Sequence, residues 1–153
     1  ALGDKPALAV FQGPDAYITP SWYASKQEHG RVVPTWNYAV VHARGPITFF
    51  QDRDRLHDVV SRLTDFHERR RAQPWAVTDA PERFVEAQLR GIVGFVLEIE
   101  TLTGKHKMSQ NRPAQDREGV VAGLAGEEGA RARDTGDLVK AAAEGRFSKT
   151  DNG

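Results

Sequence analysis

The chain has 153 residues, 39% of them hydrophobic, and 21 Lys plus Arg balance 21 Asp plus Glu. That length supports one domain with a real core, and a net charge of zero removes any bulk attraction to nucleic acid or an anionic membrane. The absence of cysteine excludes disulfides and thiolate metal sites, and the longest apolar runs, such as "IVGFVL" at 92–97, are too short to cross a bilayer. No secretory leader is visible, so a cytoplasmic address is expected.

After an initial turn, residues 7–11 ("ALAVF") predict a buried strand closed by a turn at Gln12–Asp15. "AYIT" at 16–19 predicts a second strand, stopped by Pro20. The polar stretch 21–31 leaves room for a single helical turn at Ser25–Glu28, closed by Gly30. Thr35–Arg44 is β-branched and aromatic, hence a strand, and Pro34, with no N–H, places a bulge or an edge at its start. Gly45 and Pro46 turn the chain into "ITFF" at 47–50, the return strand of a hairpin. From Asp52, an expected N-cap, Leu56, Val59, Val60, Leu63 and Phe66 recur at helical spacing as a core-facing stripe. Arg69–Arg71 follow where the helix dipole favours cations. Asp79 is the expected cap of a second helix, ended by Gly91. "IVGFVLEIETLTG" (92–104) alternates as one strand, "KHKMSQNRP" (105–113) is a polar junction, and "AQDREGVVAGLAG" is a helix. Residues 127–153 are charged and poor in large apolar side chains, so a polar tail is expected there, with at most one helix near Asp137–Glu144. These elements predict an α+β fold built on a small antiparallel barrel over residues 1–126.

Three clusters have the composition of a site. Ser21, Trp22 and Tyr23 place a hydroxyl, an indole donor and a phenol side by side; they line a site or plug one end of the barrel. In "VPTWNY", alternation sends Thr35 and Asn37 to one face of the strand and Trp36 and Tyr38 to the other. A Thr/Asn face beside an aromatic wall suits the edge and plane of a heterocycle; the alternative puts Trp36 in the core and Asn37 at a turn. "KHKMSQNR" gathers Lys105, Lys107, Ser109, Gln110, Asn111 and Arg112 at a strand-to-helix junction, a composition that fits a phosphate and also a solvated loop. The five histidines have no metal-ligand spacing, and no P-loop, G-x-S-x-G or G-x-G-x-x-G is present.

Taken in order, "FQGPDAYITPSWY", "VPTWNYAVVHARG", "HERRRAQPWAV", "LRGIVGFVLEIETLTGKHKMSQNR" and "DREGVVAGL" strongly resemble the PaiB family, described as FMN-binding negative transcriptional regulators. The resemblance runs from about Ala7 to Leu124. It implies an FMN-binding split barrel with flanking helices, and a homodimer with flavin where the subunits meet. By that analogy Ser21, Trp22, Tyr23, Thr35, Trp36, Asn37, Lys107, Ser109, Gln110, Asn111 and Arg112 become FMN-binding residues; no catalytic residue and no metal are implied. Family members carry a segment before "ALAVFQGP", so the chain is expected to lack the first barrel strands, which exposes a sheet edge and lowers FMN affinity. The implied function is negative transcriptional regulation with FMN as ligand; a flavin-dependent oxidoreductase and a flavin-sensing module on the same fold are the alternatives. Direct DNA contact would have to use Arg69–Arg71 or the arginines of the tail, because the net charge is zero.

Overall fold

The computed structural model describes residues 6–146; the turn expected at the start of the chain and residues 147–153 of the expected tail lie outside them. In chain order the described residues form β1 (Ala7–Ile18), α1 (Ser25–His29), β2 (Thr35–Gly45), β3 (Ile47–Phe50), α2 (Arg53–Glu68), α3 (Glu82–Leu89), β4 (Gly94–Leu97), β5 (Thr101–Lys107), α4 (Ala114–Gly126) and α5 (Ala130–Ala143). Short 3-10 turns lie at Pro20–Trp22 and Val77–Asp79. The strands make two antiparallel sheets, β1–β2–β5 and β3–β4, so the fold is α+β and split-barrel-like, with no single closed barrel among the described residues. The chain divides into two compact units.

The first unit holds Arg44–Glu100. Here β3 and β4 pair antiparallel, with Ile47 opposite Leu97, Phe49 opposite Phe95 and Phe50 opposite Gly94. The register continues beyond both strands: the Glu98 N–H donates to the Pro46 carbonyl at 3.0 Å and the Glu100 N–H to the Arg44 carbonyl at 2.8 Å. Gly45 permits this approach, since a Cβ there would stand 1.7 Å from the Glu98 carbonyl oxygen. Asp52 caps α2 as expected, accepting the Arg55 N–H at 2.8 Å. Arg53 ties α2 to α3 through Glu86.

Two expectations are corrected in this unit. Of the apolar stripe on α2, only Leu56 is buried; Val59, Leu63 and Phe66 are exposed. The 3-10 turn and α3 meet α2 around Arg53 and His57, which leaves its later turns uncovered. Asp79 does not cap α3. Its carboxylate accepts the Ala76 N–H at 2.9 Å and closes the 3-10 turn, and Pro81 stands at the start of α3.

The second unit holds Leu8–Ala43 and the chain from Thr101 on. The expected pair of short strands at 7–11 and 16–19 is one strand, β1. No turn forms at Gln12–Asp15 because Gly13 packs directly on Ala39 of β2, where a Cβ would lie 3.1 Å from the Ala39 carbonyl oxygen. β1 lies at the edge of its sheet, a position that tolerates the donor missing from Pro14. The single strand expected over 92–104 is also divided, into β4 and β5, because the pairing partner changes from β3 to β2.

The core of this unit joins Ile18, Tyr23, Met108, Val120, Leu124 and Val139. Each fully buried aliphatic side chain contributes about 1.5–3 kcal/mol. α5 begins at Ala130, well before the helix expected near Asp137, and docks on α4 through Val139. Gly136 faces Leu124 of α4, where a Cβ would sit at ordinary contact distance, 3.6 Å.

Candidate functional site

The Thr19 hydroxyl accepts the Ser21 N–H at 3.3 Å and so starts the 3-10 turn. Ser21 is exposed, and its hydroxyl accepts from Lys26 Nζ at 3.3 Å. Trp22 turns onto α4, into a groove made by two glycines on one helix face. A Cβ at Gly123 would stand 2.2 Å from the indole ring, and one at Gly119 would stand 1.9 Å from the Trp22 carbonyl oxygen. Tyr23 is 2% exposed, and its hydroxyl has no hydrogen-bond partner among the described residues. The Arg112 guanidinium lies over its ring, 4.5 Å from the centroid. Burial pushes the phenol above its ordinary pKa, and the neighbouring Arg112 charge opposes that shift.

The start of β2 meets the segment that follows β5. Asn37 and Ser109, both buried, bond to each other: Asn37 Nδ2 donates to Ser109 Oγ at 3.0 Å, and the hydroxyl returns to Oδ1 at 3.3 Å. Ser109 holds a left-handed backbone with φ 59°, which a non-glycine residue adopts at a cost. The Arg112 N–H donates to the Ser109 carbonyl at 3.0 Å and closes the turn. Lys107 Nζ donates to Thr35 Oγ1. Gln110 folds back on its own segment, accepting the Met108 N–H at 2.6 Å and donating to the His106 carbonyl at 2.8 Å. Asn111 is exposed. The structure thus joins Thr35 to Lys107, Asn37 to Ser109 and Tyr23 to Arg112, places Trp22 on α4, and leaves Ser21 and Asn111 at the surface.

Beneath this region lies Asp116, which sequence reasoning missed. It is 1% exposed and accepts the Ser25 N–H at 2.9 Å and the Ser25 hydroxyl at 2.7 Å. Burial pushes its carboxyl up, but the two Ser25 bonds, the Arg112 charge and the Ala24 N–H more than reverse this and hold it below the ordinary value of 3.8.

A hollow of about 570 Å³ opens on the β1–β2–β5 sheet. Alternate residues of β2, Trp36, Tyr38, Val40 and His42, form one wall. Val10, Gln12 and Asp15 line it from β1, and Thr103 and Lys105 from β5. Of the FMN-binding residues implied by the resemblance only Trp36 is among these; Tyr38 and Lys105 come from the same two candidate clusters. The signal for the others was the period of two running from Trp36 to His42; Lys107, two residues after Lys105, is bonded to Thr35 and does not line the hollow. An aromatic wall, lysine charge and the polar groups of Gln12, Thr103 and His42 together fit a flat heterocycle that carries an anionic group.

Comparison with known proteins identifies the family. A family described as "Putative FMN-binding domain" matches residues 1–101. The chain is similar to the protease synthase and sporulation protein PAI 2 of Bacillus subtilis, 34% identical over 136 residues that cover 89% of this chain and 63% of that protein. It is similar also to an uncharacterized protein of Aspergillus fumigatus, 39% identical over 133 residues covering 76% of this chain and 51% of the other. A third relative, an uncharacterized protein of Saccharomyces cerevisiae, is 41% identical over 81 residues, 52% of this chain and 48% of that protein. The chain therefore spans about half to two thirds of the length of these relatives. The chain belongs to the FMN-binding-domain family that includes PaiB.

Proposed function

We propose that this protein binds FMN in the hollow on the β1–β2–β5 sheet and acts as a PaiB-like negative transcriptional regulator. The observation that carries the reading is the aromatic wall of Trp36 and Tyr38 facing the hollow that Lys105 also lines. The ring system would lie along the aromatic wall. Lys105 and Lys107, with Arg112 at the end of the same segment, would supply positive charge for the phosphate. Asn37 and Ser109 would hold the start of β2 against the segment that carries those cations. Bound FMN supplies redox chemistry and a flavin absorbance; the chain supplies binding, orientation and charge.

A homodimer in the cytoplasm is part of the same proposal. Phe49 and Phe95, paired across β3 and β4, are exposed, as are Val59, Leu63 and Phe66 on α2. Apolar surface of this kind is what a subunit interface covers. Repression acting through another protein suits the zero net charge better than direct DNA contact.

FMN fluorescence quenching tests the binding claim. The expected result is saturable quenching by the wild-type chain and at least tenfold weaker binding by Lys105→Ala/Lys107→Ala, about 1.4 kcal/mol or more. Unchanged affinity in the double variant would contradict the assignment. Bleaching of the bound flavin by NADPH would point to an oxidoreductase, and a salt-sensitive shift of promoter DNA to direct regulation.

A further inference from the structure

Trp36 and Asp15 also border a second, smaller hollow, about 320 Å³, reached from the turn between α4 and α5. We propose that it binds a small organic cation with an ammonium or guanidinium head. Tyr17 and Trp36 are 48% and 52% exposed, and they meet edge to face with ring centroids 6.2 Å apart and planes at 71°. They form two walls of an aromatic corner, and aromatic faces attract cations. Facing the same space are Glu127 and Glu128, from the turn joining the two helices. Of the charged side chains lining the hollow, Asp15, Glu127 and Glu128 are acidic and Arg131 is basic. Arg131 is held by Asp15 at 3.1 Å, so this pair offsets itself and the two glutamates set the sign of the field.

The volume lies near the lower end of the range for small-molecule sites, roughly 300–1,000 Å³, which suits an amine-sized ligand. Anions are disfavoured by the carboxylates. This proposal does not depend on flavin binding in the first hollow.

Isothermal titration with tetramethylammonium tests it, with tert-butanol as the uncharged isostere. The expected result is one-site binding of tetramethylammonium, weakened by salt, with tert-butanol at least about tenfold weaker. Glu127→Gln/Glu128→Gln, on an exposed turn, is expected to weaken tetramethylammonium about tenfold while circular dichroism stays unchanged. Tyr17→Leu, which keeps every carboxylate, is expected to weaken it as well. Absence of saturable binding, equal affinity for tert-butanol, or unchanged affinity in the glutamine variant would overturn the proposal.

Discussion

Asn37 and Ser109 tie the start of β2 to the segment after β5 without lining the hollow. Both side chains are buried and each completes the other's hydrogen bonding. Asn37→Ala leaves the Ser109 hydroxyl without that partner, and we expect a loss of about 1–3 kcal/mol of stability in a denaturant titration. Asp116 acts similarly on α1. Its folded-state pKa is depressed, so the stability it contributes is present above its ordinary value of 3.8 and is lost as pH falls below that value. Asp116→Asn, which replaces one acceptor oxygen by a donor, should lower stability at neutral pH and flatten its decline in acid, as read by melting temperature against pH. An acid limb identical to wild type would count against this role. Neither pair was legible in the sequence, because Asn37–Ser109 and Ser25–Asp116 are 72 and 91 residues apart and no local pattern links their members.

α4 carries its glycines for two different reasons. Gly119 and Gly123 make room for Trp22, whereas a Cβ at Gly126 meets nothing within 4 Å. Gly119→Ala forces a methyl into the Trp22 carbonyl and should destabilise by about 1–3 kcal/mol, while Gly126→Ala should be neutral or slightly stabilising. Equal effects of the two substitutions in thermal melts would refute the packing account. Local chemistry made several elements readable: the αL Gly30 after α1, the Asp52 cap and the β-branched run of β2. Tertiary choices hid others. Gly13–Pro14 has the composition of a turn, yet it runs straight as an edge of the sheet. The alanine-rich α5 has little large apolar content, yet it joins the core through the fully buried Val139.

Among the described residues Phe49, Phe95, Leu63 and Phe66 are exposed, and the dimer proposed above would cover them. The sequence showed the α2 stripe correctly as apolar; what it could not show was that the stripe stays uncovered within the chain. Native mass spectrometry should therefore find a dimer, and Leu63→Glu/Phe66→Glu should shift it to monomer; a wild-type monomer at micromolar concentration would contradict this. The family was legible in ordered motifs, but the motif "KHKMSQNR" sends only Lys105 to the hollow; its later residues form a packed turn, and the hollow lies on alternate residues of three strands.

Tryptophan indole resonances in a ¹H–¹⁵N spectrum locate the ligand directly, because the chain has three, from Trp22, Trp36 and Trp75. On addition of FMN the Trp36 indole signal should move most and saturate with the binding curve, while that of Trp75 stays in place. FMN that binds without moving Trp36 would place the flavin elsewhere and contradict the proposed site.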